Sequence, residues 1–288
     1  MAYDMSLDTA HDFLLQDLPY MPEVCLFIYA LVGAARVKSG PAKNMYWAQS
    51  LVLTFLMCFG GGIVAPFLLG KPPVILINDL LVVAVLGSWL VVNRLEEPVG
   101  ALLRAPVISQ ALAFMAEVFR ANGFCRMVQV AFKEIPAGKY YPIPFWGPVL
   151  LGTIAGCAGM FLPFDKGLAS IKGGSPWPLQ SAFYGSLAFH LLAHDPHVRA
   201  ALAPYAGDYT ADAARACVVA FFAAVATLQT YAGPHFNPFS PLHRVAYAIS
   251  GVKAPGANGA PAAAPATAGA PAGAAPPAPD SKKDKKNK

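Results

Sequence analysis

The chain has 288 residues, of which 56% are hydrophobic and 13% charged, and a mean hydropathy of +0.47. Soluble domains carry about 25% charged residues, so this chain lacks the polar cover that a water-soluble fold of its size needs. Five cysteines are too few for a disulfide framework and none are paired at metal-ligand spacing, so the sequence reads as an integral membrane protein.

Residues 1–20 hold Asp4, Asp8, Asp12 and Asp17 and no Lys or Arg, the reverse of the basic start of a secretory signal. They are read as a lumenal N-terminal segment. A bilayer core about 30 Å thick needs roughly 20 mostly apolar residues per helix. On that measure spans are expected at 21–37, 45–69, 74–93, 106–132, 144–164, 178–194 and 210–232, within a transmembrane domain of residues 21–245. The expected fold is all-α with seven transmembrane helices.

The second span contains Phe59-Gly60-Gly61-Gly62 and Pro66. The fifth contains Gly152, Gly156 and Gly159, then Pro163-Phe164-Asp165. Glycine costs up to about 1 kcal/mol against Ala in a helix, and Pro removes a backbone hydrogen bond. In a bilayer such breaks survive only where the freed backbone is buried in protein or lines a wet cavity. Close helix packing is the plainer reading, because Gly152 and Gly156 form a GxxxG pattern. Two interrupted spans three apart nevertheless occupy matching positions in a doubled three-helix unit. Spans 1–3 and 4–6 are thus expected to form an inverted repeat with a seventh helix appended, helices 2 and 5 being broken at Gly60, Gly61, Gly62, Gly156 and Gly159.

The fourth span carries Glu117, Arg120 and Arg126. Glu117 and Arg120 are three apart and share a helix face. A charge at the centre of a spanning helix costs about 2.5–3.5 kcal/mol on insertion scales, so these groups should face protein or water. They are expected to be a structural ion pair with a snorkelling Arg126, or a set of charges facing a pore or a lipid headgroup. His190, in the sixth span, is expected to hydrogen-bond within the bundle, and the five cysteines to act as small hydrophobes.

Basic residues in the loops set the orientation. Arg36, Lys38, Lys43, Arg94, Arg104, Lys166, Lys172, Arg244 and Lys253 fall on one side, against Lys71, Lys133, Lys139 and Arg199 on the other. The N-terminus is expected in the lumen and the C-terminus in the cytosol. Residues 246–288 are expected to be a disordered cytosolic tail: 24 of the 27 residues in 254–280 are Ala, Pro or Gly, so nothing there can build a core. Five of the 21 basic residues lie in the last seven positions, so the net charge of +5 says little about the folded body, and nucleic-acid binding is not expected. Lys285 and Lys286, fourth and third from the end, resemble a di-lysine retrieval signal of the endoplasmic reticulum. No nucleophile triad, paired carboxylates or phosphate loop is present in the sequence, so no enzyme activity is expected.

Several segments together resemble the trimeric intracellular cation channels (TRIC) of eukaryotic type. These are Cys58-Phe59-Gly60-Gly61-Gly62 with Leu68-Leu69-Gly70-Lys71-Pro72; Ala116-Glu117-Val118-Phe119-Arg120; Gly156 and Gly159 with Phe164-Asp165; Ser181-Ala182-Phe183-Tyr184-Gly185; and Asn237-Pro238-Phe239-Ser240-Pro241. They run in the family's order across residues 20–245. The resemblance implies a homotrimer with one pore per subunit, passing K⁺ and Na⁺ across endoplasmic or sarcoplasmic reticulum membrane as counter-ion flow during Ca²⁺ release. It also implies phosphoinositide binding through a fourth-helix Lys and Arg. That Lys position is Ala116 here, leaving Arg120, and a basic position before the fifth-helix glycines falls near Ala155. A secondary transporter with inverted repeats, or a seven-helix receptor or scaffold, are the alternative readings.

Overall fold

The computed structural model describes residues 7–40, 45–162, 167–171, 174–233 and 236–251. Pro163-Phe164-Asp165, Lys285, Lys286 and most of the expected tail lie outside the described residues. Every regular element among the described residues is helical: α1 (Leu7–Leu15), α2 (Met21–Ser39), α3 (Trp47–Leu68), α4 (Val74–Ile77), α5 (Asp79–Arg94), α6 (Glu96–Arg104), α7 (Pro106–Glu134), α8 (Trp146–Cys157) continued by a 3₁₀ turn (Ala158–Phe161), a short 3₁₀ turn (Ala169–Ile171), α9 (Trp177–His194), α10 (Pro196–Ala206), α11 (Ala211–Ala232) and α12 (Ser240–Ser250).

The expected spans map onto α2, α3, α4 with α5, α7, α8 with its 3₁₀ turn, α9 and α11. Their ends follow local chemistry. Pro22, Pro106 and Pro178 sit in first turns, where a missing N–H costs nothing. Glu23 and Asp79 start helices that finish on Arg36 with Lys38 and on Arg94, complementing the helix dipole. Past α3, Gly70 takes φ +67° and lets the Lys71 amide return to the Pro66 carbonyl at 3.0 Å. By length and composition alone, α3 and α11 are able to cross a bilayer. α8 and its turn span roughly 26 Å, close to the hydrocarbon thickness.

The packing has the pattern of two related units. In the first, α2 packs on both α3 and α5; in the second, α7 packs on both α8 and α9. The units join first helix to first, α2 on α7, and second to second, α3 on α8. α11 lies outside this pattern, against α7 and α9. The largest core cluster is where these last three meet, around Val118, Phe124, Phe189, Val219 and Phe222.

Three features depart from expectation. α3 is continuous through Gly60–Gly62 and Pro66, so the second span is not broken at its glycines. The fifth span does change, but at Cys157 (φ −134°, ψ −10°), between Gly156 and Gly159, where the α-helix tightens into 3₁₀. The physical reason is that the glycines remove side-chain bulk rather than helical hydrogen bonds. A Cβ on Gly61 would stand 1.9 Å from the Ala155 carbonyl oxygen, and one on Gly159 would stand 2.2 Å from that of Met57. Short amphipathic helices were also not expected: α1 forms within the N-terminal segment, α6 precedes the fourth span at an 88° bend, and α12 crosses the expected tail boundary at 245/246.

α10 starts on an N-cap at Asp195, whose Oδ1 accepts from the amides of His197 (2.9 Å) and Val198 (3.0 Å) and whose Oδ2 accepts from the Tyr141 hydroxyl. The Tyr141 bond is the main reason the Asp195 carboxyl is held below its usual value, and it pushes the Tyr141 phenol up. A depressed carboxyl contributes fully above its unfolded value near 3.8 and loses that contribution as the pH falls through the folded one. A raised phenol contributes fully below 10.0 and loses it as the pH rises through its folded value. In thermal unfolding of the detergent-solubilised protein, the gap between wild type and Tyr141→Phe should therefore be constant between these limits and narrow outside both. Asp195→Ala, which removes the whole cap, should cost about 1 kcal/mol.

Candidate functional site

Two cavities enter the bundle from opposite ends. The outer one, about 510 Å³, takes in Glu23 at the start of α2 and Arg126 and Val130 in the second half of α7. The inner one, about 350 Å³, takes in Arg36 near the end of α2 and Ala113, Ala116 and Glu117 in the first half of α7. Both are lined by Tyr29, Cys58, Arg120 and Ala155. Tyr29, Cys58 and Arg120 lie at, or one residue from, the midpoints of α2, α3 and α7. The shared residues therefore form a waist at mid-depth, with one cavity on each side.

The waist is narrow because two backbones touch there. Gly60 and Gly61 of α3 lie against Gly159 and Ala155, with a Cβ on Gly60 only 3.0 Å from the Gly159 Cα. Gly152 and Gly156 serve a neighbouring seam instead. A Cβ on Gly152 would meet Val128 and Ser186, and one on Gly156 would meet Ala182 and Phe124, so this pair seats α8 against α7 and α9. Gly61, Gly156 and Gly159 also line the inner cavity and Gly62 the outer one. On the other wall the Tyr29 ring sits 5.1 Å from Phe119 and 5.8 Å from Phe59.

Arg120 closes the constellation. Its Nε donates to Glu117 Oε2 (3.0 Å) and its Nη2 to Glu117 Oε1 (2.5 Å) and Ser181 Oγ (2.5 Å). Its Nη1 donates to the carbonyls of Gly156 (3.1 Å) and Pro178 (3.3 Å). A guanidinium has five N–H donors, and these five bonds use all of them. The ion pair is buried, with 8% and 7% of the two side chains exposed. Arg120 also joins three elements: its own α7, the last turn of α8 and the first turn of α9.

Other polar groups were assigned differently by the sequence. Arg126 is exposed at the outer cavity, away from the Glu117–Arg120 pair. Arg36, a topology marker in the sequence, is half-buried in the inner cavity with no hydrogen bond or ion pair among the described residues. Glu23 Oε2 in the outer cavity likewise lacks a hydrogen-bond partner there. Asn122 Nδ2 ties α7 to the Leu14 carbonyl of α1 at 2.7 Å. Tyr29 and Cys58 were missed because an aromatic and a thiol inside an apolar span carry no sequence signal of a cavity. His190 corrects an expectation: it is fully buried but neither ring nitrogen has a hydrogen-bond partner, and it packs among Phe132, Phe145 and His194. The Phe132 and Phe145 rings beside it offer no acceptor in the ring plane. Among the described residues no three His, Cys, Asp or Glu side chains are grouped to hold a metal ion.

A model of the glycine transporter family matches residues 20–95, which is α2 through α5, the first three-helix unit. No curated protein matches the sequence. Among solved structures, the chain is similar to a trimeric intracellular cation channel from C. elegans determined without Ca²⁺, at 20% identity and TM-score 0.57, over 80% of this chain and 99% of that one. It is similar to a TRIC counter-ion channel solved for its activity in calcium release, at 17% identity and TM-score 0.55, over 78% and 98%. A TRIC cation channel solved for its conductance aligns at 17% identity and TM-score 0.51, over 73% and 93%. The chain has the TRIC channel fold, an all-helical membrane fold.

Removing one member of a buried pair leaves the other charge uncompensated, at about 3–5 kcal/mol. Arg120→Ala should lower stability by that order in thermal unfolding of the solubilised protein. Arg120→Lys should recover little of it, since one ammonium cannot reach Glu117, α8 and α9 together.

Proposed function

We propose that this chain is a monovalent cation channel, passing K⁺ and Na⁺ through a pore within each subunit of a homotrimer in the endoplasmic or sarcoplasmic reticulum membrane. The observation that carries the reading is the pair of cavities from opposite ends sharing a waist at Tyr29, Cys58, Arg120 and Ala155 inside one chain. The TRIC fold supports it. Counter-ion flow during Ca²⁺ release, a lumenal N-terminus and a cytosolic C-terminus belong to the same proposal.

In this reading the waist is electrically balanced, because Glu117 offsets Arg120, and a passing cation meets backbone at the α3–α8 crossing rather than a tight filter loop. Positions 116 and 155 are alanine, so the waist carries one offset guanidinium among the described residues. Arg120 has no donor left for a phosphoinositide headgroup, and Arg126 lies in the half of α7 assigned to the lumen. A headgroup in the cytosolic leaflet is therefore assigned to Arg36, whose donors are uncommitted among the described residues.

A second reading, a secondary transporter, is favoured by the glycine transporter match over the first helical unit. It uses the same waist but requires alternating access. Planar-bilayer recording separates the two. In a Cys157→Ala, Cys217→Ala background, a cationic methanethiosulfonate reagent should block most of the single-channel current by modifying Cys58, and Cys58→Ala should abolish the block. Full current after modification confirmed by mass would overturn the pore assignment. Saturable uptake without channel openings would favour the transporter. The retrieval signal is tested separately. With a tag at the N-terminus, replacing Lys285 and Lys286 by alanine should move the protein to later compartments, and unchanged reticular location would remove that part of the proposal.

A further inference from the structure

Helix α12 presents its faces in an unusual order. Leu242, Val245, Ala246 and Ile249 recur at i, i+3, i+4 and i+7, the spacing of one apolar stripe, while Arg244 and Tyr247 lie opposite. An amphipathic helix on a soluble protein turns its apolar stripe inward. Here the polar edge faces the bundle: His243 and Tyr247 are half-buried, and the His243 ring stands 6.4 Å from Tyr184. Leu242, Val245 and Ile249 face away, 48%, 53% and 82% exposed.

The start of the helix is held firmly in place. Asn237 Nδ2 donates to Gln180 Oε1 at 2.7 Å, its Oδ1 accepts from the Phe239 amide at 2.9 Å, and Gln229 Nε2 donates to the Phe236 carbonyl at 3.0 Å. The Phe239 ring stacks on Tyr184 at 4.4 Å and on Trp177 at 6.0 Å. These partners belong to the first turns of α9 and the last turn of α11, so α12 begins where two spanning helices reach the edge of the hydrocarbon. α6, bent 88° from α7, turns across the bundle at the same end. That end is fixed by the inner cavity, which Arg36 of α2, Trp177 of α9 and Gln229 of α11 line together.

Charge points the same way. Arg244 lies on α12, and residues 252–288 add six lysines against two aspartates. Basic groups near a membrane surface are drawn to anionic headgroups. A second copy of the chain fits less well, since three large side chains on an 11-residue helix cover far less than the about 800 Å² per partner of a stable interface.

We propose that α12 lies in the surface of an anionic bilayer, with Leu242, Val245 and Ile249 set into the headgroup–acyl boundary and Arg244 against anionic headgroups. The inference is independent of the channel reading.

The test uses the full chain with Cys58→Ala, Cys157→Ala and Cys217→Ala, the remaining Cys25 and Cys125 being fully buried. Nitroxide labels are placed on Ile249→Cys and, separately, Arg244→Cys, both exposed positions. The protein is reconstituted in phosphatidylcholine vesicles with and without phosphatidylserine. In vesicles containing phosphatidylserine, the label at 249 should be open to oxygen and shielded from an aqueous nickel chelate, with the opposite order at 244. The contrast should weaken without phosphatidylserine or at high salt. Equal aqueous access at both positions would overturn the proposal. Immersion indifferent to phosphatidylserine and salt would overturn the anionic surface. Spin–spin broadening between labels would assign the stripe to a second copy instead.

Discussion

The structure depends on one constraint: a guanidinium at mid-depth in a membrane protein must have every donor occupied. Arg120 meets it by spending two bonds on Glu117, two on backbone carbonyls and one on Ser181. Because those partners sit on three helices, satisfying the charge also fixes the relative positions of α7, α8 and α9. The Gly156 carbonyl belongs to the last turn of α8, where an α-helix leaves acceptors for outside groups. The change to 3₁₀ at Cys157 and the placement of Arg120 thus solve each other's hydrogen-bonding problem.

The second constraint is steric, and glycine meets it. Around Gly61 and Gly159 the α3 and α8 backbones are so close that any side chain would collide with a carbonyl. In lipid, where no hydrophobic force drives helices together, such close approach is the main source of van der Waals association. It puts polar backbone beside the waist without opening a helix. The glycines therefore act as the sequence's plainer reading has it, through packing, while Gly61, Gly156 and Gly159 still line the inner cavity.

These two constraints account for the uneven distribution of polar groups. At the waist the charges are matched and buried. Away from it, Arg36 and Glu23 stand in the two cavities without a hydrogen bond or ion pair among the described residues in the first case, and with an unpartnered carboxylate oxygen in the second. Single charges at such depth are tolerable where a cavity admits water and costly where lipid is the neighbour. Seven helical segments at the expected positions were legible because each is a long apolar run. α1, α6, α10 and α12 were not, because 9–11 residues of mixed character look like loop until a neighbouring surface gives one face something to pack on.

The sequence by itself determined that the chain is an all-helical membrane protein, where its spans lie, and which residues would be conspicuous: the glycines of the second and fifth spans, and Glu117 and Arg120 in the fourth. Those conclusions rest on composition and on one-dimensional spacing, which the thickness of a bilayer converts directly into helices. Only the tertiary structure decided what the conspicuous residues do. It made the glycines a backbone crossing, gave all five donors of Arg120 to protein acceptors, left Arg36 free of such bonds among the described residues, and brought Tyr29, Cys58 and Ala155 to a shared waist. Those outcomes bring together residues up to 126 positions apart around the same cavities, and no local pattern encodes them.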